Sequence, residues 1–199
     1  MNIKKIIGIA VGVVLVCSIL YFNQPKTNTT EKPVVKIGLI YPMTGSMGHI
    51  GKDVLNSAKM VIEKANSNPN RQFNYQILVQ DDELKAANTI TIANKMMSVD
   101  KVNLIMSSWS GPSNAIKPLM ISNNMIHFAD SYTDLSDGKN IFNCSVTGSD
   151  LAPAAFDFIE KRGFKDVALI FQQVPAGTEI LGLMEPKMKE KGIKFTEYL

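Results

Sequence analysis

The sequence is poor in the residues that disulfide scaffolds and most enzyme sites require. It has two cysteines, two histidines and one tryptophan in 199 residues. Cys17 lies in an apolar N-terminal run, so Cys144 is the single thiol left for a folded part, and no intrachain bridge is available there. Such a fold must stand on its core. Cys144 falls in a short strand-like run, 141–146, with no base beside it, and is expected to be a small buried apolar residue. His49 and His127 have no second histidine or cysteine at ligand spacing, so no metal site is expected. Asp81, Asp82 and Glu83 are three acids without a histidine and read as a solvated strand end and helix start, where the helix dipole favours negative charge. G-x-S-x-G, H-E-x-x-H and any paired His-acid arrangement are absent, so neither a catalytic residue nor a cofactor is expected. Large net charge is missing too. A balance of +3, partly carried by Lys4, Lys5, Lys26 and Lys32 around the apolar run, excludes a nucleic-acid surface.

What is present is a globular composition, 45% hydrophobic and 20% charged, in a chain long enough for one ordinary domain or for one lobe and part of another. Residues 6–22 carry no charge and would make about 25 Å of helix, near the lower limit for crossing a bilayer. Segment 1–22 therefore reads as a membrane anchor or a signal sequence. Nothing like A-x-A occurs between Val16 and Pro25, and Val16 stands where a lipoprotein signal has a small residue before its cysteine. A retained anchor, a cleaved signal and a lipid-modified Cys17 all stay open. Each delivers the rest of the chain across the inner membrane, since Lys4 and Lys5 favour the cytoplasmic side. Residues 23–33 are polar and read as a flexible linker of roughly 30 Å when extended.

From Val34 onward short apolar runs alternate with longer amphipathic segments, the pattern of a parallel sheet covered by helices. Strands are expected at 34–41, 75–80, 103–106, 125–129 and 167–171. Ile50, Val54, Leu55, Ala58, Val61, Ile62 and Ala65 recur at three- and four-residue steps, which predicts a helix packed on one sheet face. A second helix is expected over 84–98 through Leu84, Ala87, Ile90, Ala93 and Met97, and a third from near Pro112 to near Ser122. A fourth, 149–162, has Ser149 as its N-cap and Gly163 as its stop. Segment 177–192 reads as helical but contains Pro186, which breaks or kinks a helix. The chain ends in a strand-like run, 193–199, with no helix after it, so the second lobe is expected to be incomplete.

In open α/β sheets, ligands sit beyond the carboxyl ends of the strands. The turns in that position are Pro42-Met43-Thr44-Gly45-Ser46-Met47-Gly48, then Ser107-Ser108-Trp109-Ser110-Gly111, then Asp130-Ser131-Tyr132-Thr133. The glycine-rich first turn is neither a P-loop nor a dinucleotide fingerprint. The three turns, with Lys36-Ile37-Gly38-Leu39-Ile40, Asp81-Asp82 and Ala93-Asn94-Lys95 in order, resemble the type I periplasmic binding proteins, specifically the branched-chain amino-acid (Leu/Ile/Val)-binding receptors of ABC transporters. The resemblance covers nearly all of 34–199. It implies a doubly wound parallel α/β fold with a first lobe over 34–146 and the start of a second over 147–199. It also implies that Ser110 and Thr133 bind an α-carboxylate while the backbone of Ser131 helps hold an ammonium group. Trp109 would stack on the ligand or fill the lobe core. Asp130 replaces a proline common in the family, and would cap a turn or favour an amine-bearing ligand. Family aromatics are missing where Ile50 and Ala176 align.

The function this implies is capture of an amino acid or similar small polar solute in the periplasm and delivery to an ABC permease. A membrane-anchored ligand sensor with a signalling partner is the alternative on the same fold.

Overall fold

The computed structural model describes residues 32–171 and 173–198. The N-terminal segment 1–22 and the linker up to residue 31 lie outside the described residues. Among the described residues no helix is long and apolar enough to cross a membrane.

The run Val-Val-Lys-Ile-Gly-Leu-Ile-Tyr forms β1 (Val34–Tyr41), followed by α1 (Gly48–Asn66), β2 (Asn74–Asp81) and α2 (Ala86–Lys95), which continues through a π turn (Met96–Asp100). Then come β3 (Leu104–Ser108), α3 (Ser110–Ser122), β4 (Ile126–Asp130) and the short β5 (Ile141–Asn143). These five strands make one parallel sheet in the order β2-β1-β3-β4-β5. A second, two-stranded parallel sheet pairs β6 (Asp166–Ile170) with β7 (Lys194–Tyr198), covered by α4 (Gly148–Arg162) and α5 (Pro175–Glu190).

The two-residue period of a strand divides the first sheet's side chains between two layers. Ile40, Ile105, Ala129 and Ile141 face α2 and α3, where they pack with Ala93, Met96, Ile116 and Met120 into the main core. Fully burying such a side chain gains about 1.5–3 kcal/mol, so this layer carries most of the first sheet's stability. Ile37, Leu39, Ile77 and Met106 lie towards α1, which leans on them more loosely and leaves a gap of about 530 Å³ beside Val54, Ala58 and Ile62. A smaller core, Ala152, Phe156, Ile159, Met184, Met188 and Ile193, holds α4, α5 and the second sheet together.

Several expectations are corrected. The second helix starts at Ala86, because Glu83 and Leu84 both take positive φ, and it buries Thr89, Ala93 and Met96 while Ala87 and Ile90 are exposed. Val61 on α1 is exposed as well. The third helix bears out its expectation, opening at Ser110 with Pro112 in its first turn and ending at Ser122. The fourth is capped by Thr147 rather than Ser149: the Thr147 side chain and the Asp150 carboxylate form a capping box. α5 runs unbroken through Pro186. The carbonyl Pro186 leaves without an N–H belongs to Gly182, an exposed glycine, so water can reach that carbonyl. Cys144 is exposed, because β5 ends at Asn143 on the sheet edge and nothing covers the next residue.

Candidate functional site

The chain goes from β1 outward to β2 and returns to build β3, β4 and β5 on the other side. The strand order therefore reverses between β1 and β3, the place where adjacent loops part and leave a crevice. The registers Ile40↔Ser107 and Ser108↔Asp130 bring the carboxyl ends of β1, β3 and β4 level. The three turns singled out in the sequence leave from this edge.

Asp81, at the end of β2, shapes the first turn. Its carboxylate accepts hydrogen bonds from the Met43 and Glu83 N–H groups and from the Thr44 hydroxyl. Burial works to raise its pKa, but these donors outweigh it and hold the group below the ordinary value. The turn then enters α1 through Gly48 and Gly51. A Cβ on Gly51 would stand 2.0 Å from the Pro42 carbonyl oxygen, so this glycine serves close backbone approach rather than an anion cradle. Asp82 is not solvated as expected. It is buried, accepts from the Leu84 N–H and the Thr89 hydroxyl, and has a raised pKa because burial disfavours the charged form.

The second turn is strained. Trp109 takes φ 60° and ψ 143°, a region where side chains other than glycine's hydrogen are strongly disfavoured. This bend ends β3 and starts α3 within one residue, and α3 has no side-chain cap. The Ser108 hydroxyl just before it is buried and has no hydrogen-bond partner among the described residues. Deeper along the same strands, Ser107 Oγ lies 2.8 Å from Ser113 Oγ and 2.7 Å from His127 Nε2. His127 is fully buried, its Nδ1 has no partner among the described residues, and burial lowers its pKa to about 4, so the ring is neutral at neutral pH.

Five residues, Met47, Ile50, Trp109, Asp130 and Tyr132, line a cleft of about 300 Å³ over these strand ends. Trp109 is thus a cleft wall and not core filling. Tyr132 supplies a ring that the alignment of Ile50 and Ala176 failed to anticipate, although it stood in plain view between Ser131 and Thr133. Asp130 is exposed and its carboxylate caps no backbone N–H among the described residues. Its field is felt by Tyr41, whose phenol is pushed well above its ordinary pKa first by burial, then by Asp130 and Cys144.

Ser110, Ser131 and Thr133 form a hydroxyl knot next to the cleft and are not among its lining residues. Ser131 Oγ donates to the Thr133 carbonyl at 2.8 Å and lies 3.2 Å from Ser110 Oγ, which also accepts the Thr133 N–H at 3.2 Å. The Ser131 carbonyl accepts from Asn143 Nδ2 at 2.8 Å. The Thr133 hydroxyl is buried without a partner among the described residues. The structure therefore brings the five expected residues into one neighbourhood but divides them between a cleft wall and a hydroxyl knot beside it.

The sequence profile of the periplasmic binding proteins matches residues 34–198. The chain belongs to the periplasmic binding protein family. Among curated relatives of this periplasmic binding protein, the Leu/Ile/Val-binding protein homolog 7 of Brucella melitensis is 24% identical over 175 residues, covering 80% of this chain and 43% of the relative. The chain thus spans less than half the length of the relatives it matches. Among solved structures, a solute binding protein of an ABC transporter from Rhodopseudomonas palustris, in complex with 3,4-dihydroxybenzoic acid, superposes with TM-score 0.73 at 24% identity, covering 82% of this chain and 46% of that one. A leucine binding protein from Thermotoga maritima gives TM-score 0.70 at 19% identity, covering 82% and 48%. These likenesses show the fold: parallel α/β, of the type I binding-protein kind. The family is one of binding receptors rather than enzymes.

Proposed function

We propose that this chain is the first part of a periplasmic receptor that captures a small carboxylate-bearing solute for an ABC permease. The observation that carries the reading is the cleft at the sheet's topological reversal, walled by two aromatic rings and adjoining an uncapped helix start and a buried Ser108 hydroxyl without a partner among the described residues. A carboxylate taken out of water needs several aimed donors, and the α3 N-terminus with nearby hydroxyls offers them. Ser110 and Thr133 serve as the carboxylate side of the site, and Ser131 braces the turn that carries them. The relatives' names speak of branched-chain amino acids and one structural neighbour holds an aromatic acid, so a carboxylate is the chemistry they share. On this reading residues 34–146 form one lobe, 147–199 begin the second, and residues 6–22 tether the receptor to the inner membrane.

Isothermal titration of the full-length protein with amino acids and hydroxybenzoates tests it. At least one carboxylate should bind at micromolar concentration, and Ser110→Ala should weaken it roughly 10-fold, the loss of one hydrogen bond to a charged group. Binding that is absent across the panel, or indifferent to Ser110→Ala, would count against the site.

A further inference from the structure

We infer that Asp130 makes this receptor selective for amine-bearing ligands, its carboxylate receiving an ammonium group in the cleft beside Trp109 and Tyr132. This rests on the ligand-binding reading of the same site. Asp130 is the one ionisable acid or base other than the Tyr132 phenol among the five lining residues, so the cleft wall carries a single full charge and that charge is negative. The carboxylate is not occupied by a structural duty: among the described residues it accepts no hydrogen bond and enters no ion pair, and its electrostatic neighbours are the Tyr41 phenol and the Cys144 thiol. Asp82 and Asp81 show the contrast, since each accepts bonds that hold a turn. The register Ser108↔Asp130 places Asp130 directly across from the strand end that leads into the strained Trp109 bend. A cation drawn to Asp130 therefore enters a 300 Å³ space that two aromatic rings also line, and the faces of such rings attract ammonium groups. A monoanionic ligand would meet the carboxylate as a like charge at the mouth. A zwitterion satisfies both ends, with its carboxylate at the α3 N-terminus and its ammonium on Asp130.

The test is competition between charge types in the full-length protein, wild type and Asp130→Asn, by isothermal titration with L-leucine, L-lysine, 4-hydroxybenzoate and 3,4-dihydroxybenzoate. The amino acids should bind the wild type, and Asp130→Asn should weaken them roughly 10- to 100-fold, the loss of a charge-assisted hydrogen bond. The apo melting temperature should hardly move, because the side chain is exposed and makes no bond in the fold. Hydroxybenzoates binding in preference to amino acids, with affinity equal or improved in Asp130→Asn, would overturn the inference while leaving the receptor reading intact. Amino-acid affinity unchanged in Asp130→Asn would also overturn it. Silence of both proteins towards the whole panel would remove the receptor reading and this inference with it.

Discussion

Replacing His127 by glutamine should flatten the acid side of the protein's stability profile. The imidazole sits on β4, next to the sheet's edge strand, fully buried, with one nitrogen on Ser107 and the other without a partner among the described residues. In the unfolded chain it takes a proton as pH falls through its ordinary 6.5, whereas in the folded protein burial keeps it neutral down to about 4. Between these values the unfolded state binds more protons, so stability falls as pH drops from 6.5 towards 4 and is flat above that window. The full difference corresponds to about 3 kcal/mol, of which about 2 kcal/mol is lost between pH 6.5 and 4.5. Urea unfolding at half-unit pH steps measures it. Carboxylates contribute in opposite senses. Asp82, whose pKa burial raises, gains relative stability at low pH, while Asp137, held down chiefly by the N–H groups of Ile141 and Lys139, loses it only below the ordinary carboxylate range. Both act equally in wild type and His127→Gln, so the difference between the two curves isolates the imidazole. A glutamine variant that keeps the full wild-type slope between pH 6.5 and 4.5 would refute the reasoning, as would an imidazole resonance that titrates near 6.5 in the folded protein.

Trp109→Gly and Trp109→Ala both remove the ring, but glycine alone accepts φ 60°, ψ 143° without strain, so urea unfolding should find the glycine variant more stable than the alanine one by about 1–2 kcal/mol. Gly51→Ala pushes a methyl group into the Pro42 carbonyl and should cost about 1–3 kcal/mol, with faster amide hydrogen exchange confined to the first turn and the start of α1.

Much of the fold was legible because a parallel sheet buried on both faces writes itself as apolar runs separated by amphipathic stretches. Each expected strand from 34–41 to 167–171 appears within one or two residues at either end. Boundaries slipped where a local polar bond competes with the periodic pattern. Thr147 captured the helix start that Ser149 was expected to hold, and the positive-φ pair Glu83-Leu84 cut two residues from the start of the second helix. Pro186 misled in the other direction, since its cost depends on whether the freed carbonyl is exposed, and Gly182 leaves it so.

The site divides in the same way. By itself the sequence determined which turns leave the strand ends and that hydroxyl and acidic groups gather in them, because strands that alternate with helices all run in one direction and leave one edge for all three turns. Only the tertiary structure decided that β1 and β3 are neighbours, that Asp82 is buried and Cys144 exposed, and that Trp109, Tyr132 and Asp130 wall one cleft while Ser110, Ser131 and Thr133 form a hydrogen-bonded knot beside it. Each of those facts depends on elements far apart in the chain packing against each other, and no local pattern of residues records which neighbour will cover a side chain.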